Sequence, residues 1–159
     1  MWWIIPAVIA ALFVIYLLAI RCRGSKKREL AELAKYDYAH RGFHGDGIPE
    51  NSMAAFRAAK EKGYGIELDI HLLSDGGLAV MHDSALKRTT GAEGRIEDLT
   101  VGELANYRLE GTEETIPLFS DVLALFEGAA PLIVELKAEG NQAELARVAC
   151  DMLDKYDVK

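Results

Sequence analysis

The sequence predicts an α/β domain built on a parallel sheet, set behind a separate apolar segment at the N-terminus. Three observations carry this. β-prone runs alternate with stretches of helical spacing from residue 36 onward, the pattern of a layered β/α sheet. Four of those runs each end in ionisable side chains, where such sheets build their sites. Residues Trp2 to Ile20 form 19 consecutive uncharged, almost wholly apolar residues. The bulk composition, 50% hydrophobic and 27% charged over 159 residues, excludes collagen-like and disordered chains.

The apolar run has the length of a bilayer-spanning helix, which takes about 20 residues. No Lys or Arg precedes it, and it ends Leu17-Leu18-Ala19-Ile20-Arg21 rather than in a small-residue cleavage pattern, so it does not read as a cleaved signal peptide. A buried core helix is the alternative, but nothing polar marks a second face. Residues 1–21 are therefore expected to be a single membrane anchor, with 22–35 a basic linker becoming a short helix. Arg21, Arg23, Lys26, Lys27 and Arg28 follow the run and place the downstream domain in the cytoplasm, at the plasma membrane. From Glu29 onward, 25 acidic residues stand against thirteen basic ones, a net charge of −12. That balance repels nucleic-acid backbones and suits a divalent cation. Cys22 and Cys150 form no metal or redox motif.

Tyr36 to His40 reads as a first strand, and Gly42, Gly45, Gly47 and Pro49 as a loop. Asn51 or Ser52 caps a helix over Met53–Lys60, closed by Gly63. Gly65–Leu72 alternates as a second strand, and Asp75-Gly76-Gly77 turns into a third over Leu78–His82. Thr100 caps a short helix through Tyr107, and Pro117 leads into another around Asp121–Phe126. Pro131–Lys137 is a fourth strand, and Asn141–Tyr156 a closing helix.

The strand ends carry His40 with Arg41, Glu67 with Asp69, His82 with Asp83, and Glu135 with Lys137. Glu67 and Asp69 are two apart on a strand and point to one side. Two carboxylates aimed at one place repel unless a cation or proton sits between them. Mg2+ or Ca2+ is the natural occupant of an all-oxygen site, with Glu135 able to complete the set. A solvated strand face with Lys partners is the competing account of the pair alone. His40 and His82 suit a general acid and base, and Arg41 and Lys137 supply positive charge for phosphate. Together these residues describe metal-assisted phosphoester cleavage.

In order and spacing, His40-Arg41-Gly42, Pro49-Glu50-Asn51-Ser52, Ala55-Phe56, Glu67-Leu68-Asp69, Asp75-Gly76 and His82-Asp83 resemble the glycerophosphodiester phosphodiesterase family. Leu86-Lys87-Arg88-Thr89-Thr90, Gly94, Ile116-Pro117 and Glu135-Leu136-Lys137 extend the resemblance, which covers about residues 36–140. It implies a TIM-type (β/α)8 barrel that hydrolyses glycerophosphodiesters to sn-glycerol 3-phosphate and an alcohol. It implies Glu67, Asp69 and Glu135 as ligands of a divalent cation, Mg2+ or Ca2+. It also implies His40 and His82 as the acid–base pair, Arg41 and Lys137 as phosphate binders, and Glu50 and Asn51 at the site edge. In the family the substrate's own glycerol hydroxyl attacks phosphorus, giving a cyclic phosphate that water opens. His71 lies on the strand face of Glu67 and Asp69 and is expected at most to line the site wall. His44 is expected at the surface.

A full barrel takes roughly 250 residues, and residues 36–159 hold about half of one, with four strands expected. A phospholipase-like enzyme acting on intact lipid and a non-catalytic, membrane-anchored phosphate-binding module are the two alternative readings.

Overall fold

The structure, a computed structural model, describes residues 3–20 and 27–156. The chain divides into two units, residues 1–35 and 36–159.

The first unit holds α1 (Ile4–Ile20) and α2 (Lys27–Leu33). α1 carries the apolar run, and its side chains are exposed on every face. Its 17 residues give a length of about 25 Å at 1.5 Å per residue, short of the roughly 30 Å of a bilayer's hydrocarbon. No helix among the described residues is long and apolar enough to cross a membrane, so the structure does not support the spanning helix expected over 1–21. Residues 1–2 and 21–26, which carry part of that anchor and the start of the basic linker, lie outside the described residues.

The second unit is α/β. β1 (Tyr38–His40), β2 (Gly65–Leu72), β3 (Leu78–Val80) and β4 (Leu132–Leu136) form one sheet. α3 (Met53–Glu61), α4 (Lys87–Thr90), α5 (Phe119–Phe126) and α6 (Gln142–Leu153) lie between and after the strands, with 3-10 turns at Ile96–Asp98 and Val101–Asn106. β2 is central. β4 runs parallel along one flank, with Asp69 opposite Glu135. β1 runs parallel along the other flank beside Gly65–Glu67, with His40 opposite Glu67.

β3 corrects the sequence expectation of a fully parallel sheet. It pairs antiparallel with the far half of β2, Val80 opposite Ile70 and Leu78 opposite Leu72. The reason is chain length. Five residues lie between Leu72 and Leu78, enough for a hairpin but far too few for the crossover that a parallel neighbour requires. The hairpin turns at Gly76 (φ +87), with Asp75 Oδ1 accepting from Gly77 N–H at 3.2 Å. Running backward along β2, β3 returns the chain toward the end of β1. Met81 N–H donates to the Asp69 carbonyl at 3.1 Å. His82 is thus delivered to the level at which β1 ends in His40.

Ile66, Leu68 and Ile70 point to the other face of β2 and are wholly buried against Phe56 of α3 and Phe119 and Phe126 of α5. Burying such side chains contributes about 1.5–3 kcal/mol each, and this fixes the register. A one-residue slip would turn Glu67 and Asp69 into the core. A second apolar cluster around Met81, Leu86, Ile96 and Leu104 anchors the segment after β3. Ser52 caps α3, its hydroxyl accepting from Ala55 N–H at 3.1 Å. The helix expected after Thr100 is a 3-10 segment whose start is tied by Glu103, which accepts from the Thr100 amide and hydroxyl.

Candidate active site

Alternation along β2 puts Glu67, Asp69 and His71 on the face opposite the apolar core. Glu135 joins them across the β2–β4 ladder. Carboxylate oxygens of Glu67, Asp69 and Glu135 all lie within 4.8 Å of one another, the three residues expected to hold a cation. Asp69 is completely buried and Glu135 exposed, so the cluster is open on one side.

Cations already on the chain partly neutralise this cluster. Lys137 Nζ stands 2.7 Å from Glu135 and 3.2 Å from Asp69. Burial works to lower the Lys137 pKa, but the two carboxylates outweigh it and hold it above the ordinary lysine value. Arg41 Nη1 donates to both oxygens of Glu50, at 3.1 and 3.2 Å, and its Nε lies 3.6 Å from Asp69. The two residues expected to bind phosphate therefore sit at the site, turned onto its carboxylates.

The residues fit a divalent cation on an observation beyond their proximity. Asn51 Oδ1, beside Asp69, is buried without a hydrogen-bond partner, a state that costs about 1–3 kcal/mol unless something else satisfies it, and Asp69 Oδ1 meets the Lys137 ammonium at 3.2 Å. Both are hard oxygen donors of the kind Mg2+ and Ca2+ select.

Asn51, expected at the site edge, is instead buried beneath it, its Nδ2 donating to Asp69 Oδ2 at 2.9 Å. Asn51 and Arg41 both adopt left-handed backbone (φ 52 and 54) and are tied together, Asn51 N–H donating to the Arg41 carbonyl at 2.9 Å. Non-glycine residues there cost about 1–2 kcal/mol each, and strain of this kind persists where surrounding structure enforces it. Gly42 supplies part of that enforcement. Its φ is +80, and a Cβ there would stand 2.7 Å from Ala55 Cβ.

Glu50 holds Arg41 on one side and Arg88 on the other, with Arg88 Nη2 donating to it at 2.6 Å. Burial works to raise the Glu50 pKa, but the two guanidiniums prevail and hold it below the ordinary value. Arg88 Nε also donates to Asp83 Oδ2 at 2.5 Å. That bond is the largest cause of an Asp83 pKa of about 2, with burial opposing and His82 adding to it. The other Asp83 oxygen meets His82 Nδ1 at 2.6 Å. Asp83 thereby orients the imidazole through Nδ1, with Nε2 outside this contact.

His40 is largely exposed, with Nε2 3.9 Å from Glu67 Oε2. Glu67 also accepts from the Arg41 backbone N–H at 3.2 Å. His44 lies at the surface as expected. His71 is a buried side chain at the bottom of the site, paired with Glu97 at 2.7 Å and lining the cavity that His82, Glu135 and Lys137 share.

The fold brings His40, Arg41, Glu67, Asp69, His82, Glu135 and Lys137, all singled out in the sequence, to one face. Sequence reasoning did not single out Arg88, Asp83 as the His82 partner, or Glu97. Arg88 stood in a motif already noted, and the neighbouring Asp83 was in view. Glu97 carried no local signal, lying 26 residues from His71 in the 3-10 turn Ile96–Asp98.

Fold and site together define an α/β protein with a carboxylate cluster, two histidines and two cations at the strand ends of one sheet. The chain belongs to the glycerophosphoryl diester phosphodiesterase family, whose sequence model matches residues 40–157. It is 40% identical over 111 residues to a glycerophosphodiester phosphodiesterase of Bacillus altitudinis, covering 65% of this chain and 45% of that protein. It is 33% identical over 132 residues to a human lysophospholipase D, covering 75% of this chain and 41% of the relative. Among solved structures it is similar to an Oleispira antarctica phosphodiesterase in complex with the product sn-glycerol-3-phosphate. There the TM-score is 0.68 at 30% identity, covering 75% of this chain and 51% of the other. The chain spans about half the length or less of the curated relatives it matches. The fold is of the TIM-barrel-like α/β type found in these neighbours, and among the described residues it has three parallel strands, β1, β2 and β4, with the antiparallel β3 beside them.

Proposed function

We propose that the protein hydrolyses glycerophosphodiesters to sn-glycerol 3-phosphate and an alcohol at the site around Asp69. The observation that carries this is the convergence of three carboxylates within 4.8 Å with Lys137, Arg41 and an oriented His82. Family membership and the product bound in the Oleispira antarctica relative support it.

Glu67, Asp69 and Glu135 would hold a divalent cation, Mg2+ or Ca2+. Such an ion supplies charge neutralisation at the phosphate and acidifies an adjacent hydroxyl. Arg41 and Lys137 bind the phosphate oxygens once the substrate draws them from Glu50 and Glu135. One of His40 and His82 takes the proton of the attacking glycerol hydroxyl as its oxygen bonds phosphorus. The other protonates the departing alcohol oxygen as its bond to phosphorus breaks. Water then opens the cyclic phosphate with the two roles reversed. Asp83 holds the His82 ring in place through Nδ1, and Arg88 keeps Asp83 ionised.

The test is enzymatic detection of glycerol 3-phosphate released from glycerophosphocholine. Wild type should release it, chelator should stop release, and His40→Ala should lose it. Release that persists through chelation would overturn the role given to the carboxylates.

A second reading, action on lysophospholipid-type diesters, is favoured by the human lysophospholipase D relative. Lipid in liposomes should then outcompete a water-soluble diester. Plasma-membrane association with a cytoplasmic catalytic domain is also our reading, supported by the uncharged run and the basic residues behind it. Recovery of the chain in the membrane pellet after carbonate wash is expected. Recovery in the supernatant would contradict it.

A further inference from the structure

The mechanism above makes no use of one buried ionisable pair, His71 with Glu97. His71 is fully buried on the site face of β2. Its Nε2 lies 3.2 Å from the backbone carbonyl of His82, and because a carbonyl only accepts, Nε2 is the donor. Its Nδ1 lies 2.7 Å from Glu97 Oε1. The second Glu97 oxygen accepts from Ser84 Oγ at 2.7 Å and from Arg95 Nε at 3.4 Å. The Ser84 carbonyl in turn accepts from Ile96 N–H at 2.9 Å. Burial works to raise the Glu97 pKa, but its hydrogen bonds overcome this and hold it low.

The pair thus grips the short segment His82–Ser84 at two points, the main chain of His82 and the side chain of Ser84. That segment follows a three-residue strand and has no ladder of its own. The Asp83 contact fixes how the His82 ring is rotated but not where its backbone stands. The geometry points to His71 and Glu97 as a positioning pair for His82. The pair sets the distance of the imidazole from the substrate phosphate, and neither residue touches the reacting atoms. This rests on the reading of His82 as an acid–base group. Misplacement of about 1 Å in such a group costs on the order of 100-fold in rate.

The experiment uses the 159-residue chain and four variants. Gln places its amide nitrogen near the position of a histidine Nε2, so His71→Gln retains the bond to the His82 carbonyl, whereas His71→Ala loses it. Glu97→Ala, at a half-buried position, guards against a His71→Ala variant that fails to fold. The double variant completes a cycle. Glycerol 3-phosphate release should fall about 10- to 100-fold in kcat in His71→Ala and Glu97→Ala, with KM held within about threefold. Calorimetric Mg2+ affinity should be unchanged, His71→Gln should recover most of kcat, and the double variant should be no worse than either single one. The His82 ring resonances in NMR should shift in both alanine variants and return in His71→Gln, a readout that needs no turnover. If wild type releases no product, the proposed function fails, and the NMR result decides the positioning claim alone. An unmoved His82 signal in Glu97→Ala, or loss of kcat and Mg2+ affinity in equal proportion, would overturn it.

Discussion

Replacing Lys137 by Gln removes the cation closest to the carboxylate cluster while keeping side-chain volume. The ammonium lies 3.2 Å from Asp69 and 2.7 Å from Glu135. At 3.2 Å, Coulomb attraction is about 1–5 kcal/mol across effective dielectrics from 80 down to 20. Lys137 is mostly buried and Asp69 wholly so, while Glu135 is exposed, which screens part of the interaction. A net loss of about 2 kcal/mol is expected, below the 3–5 kcal/mol of a fully buried broken pair. For a unit of this size that lowers Tm by roughly 5–10 °C. A divalent cation at 100 times its Kd stabilises by about 2.7 kcal/mol. In Lys137→Gln it should stabilise more, because no ammonium competes for the same oxygens. Thermal melts in EDTA and in excess Mg2+ or Ca2+ should therefore show the variant well below wild type without cation and nearly level with it. Equal melting in EDTA, or a deficit undiminished by cation, would refute the electrostatic account of the cluster.

Asp83, with a pKa of about 2 against an ordinary 3.8, contributes stability that is complete above pH 4 and lost as pH falls toward 2. The full shift corresponds to about 2 kcal/mol, and acid unfolding of Arg88→Ala should be flatter over that window than wild type. His82→Gln should lower glycerol 3-phosphate release by about 100- to 10,000-fold, leaving Mg2+ affinity by calorimetry unchanged. Gly42→Ala forces a Cβ against Ala55 at a φ of +80. It should cost about 2–4 kcal/mol in denaturant melts and weaken phosphate binding by misplacing Arg41.

A parallel sheet was legible because strands alternate with helices, and the face carrying Glu67 and Asp69 because period-two alternation is a local property. Glu135 entered the ligand set as a carboxylate at the end of another strand, and its register opposite Asp69 came only from the structure. The direction of β3 was legible too in principle, since the short link after Leu72 permits only a hairpin, but strand alternation alone had suggested a parallel neighbour. The charge network was not legible. Arg88 meets Glu50 across 38 positions of sequence and His71 meets Glu97 across 26, distances at which only the folded chain brings partners together. The apolar run was plain in the sequence, yet the helix it forms, Ile4–Ile20, covers 17 of those residues.

The central claim is that this carboxylate face supports cleavage of a glycerophosphodiester on the alcohol side of phosphorus. Phosphorus-31 NMR of glycerophosphocholine mixed with the protein and Mg2+ or Ca2+ tests it most directly. The account predicts a growing sn-glycerol 3-phosphate signal, matched by free choline and abolished by EDTA. Phosphocholine with free glycerol, or the same product unaffected by EDTA, would contradict it.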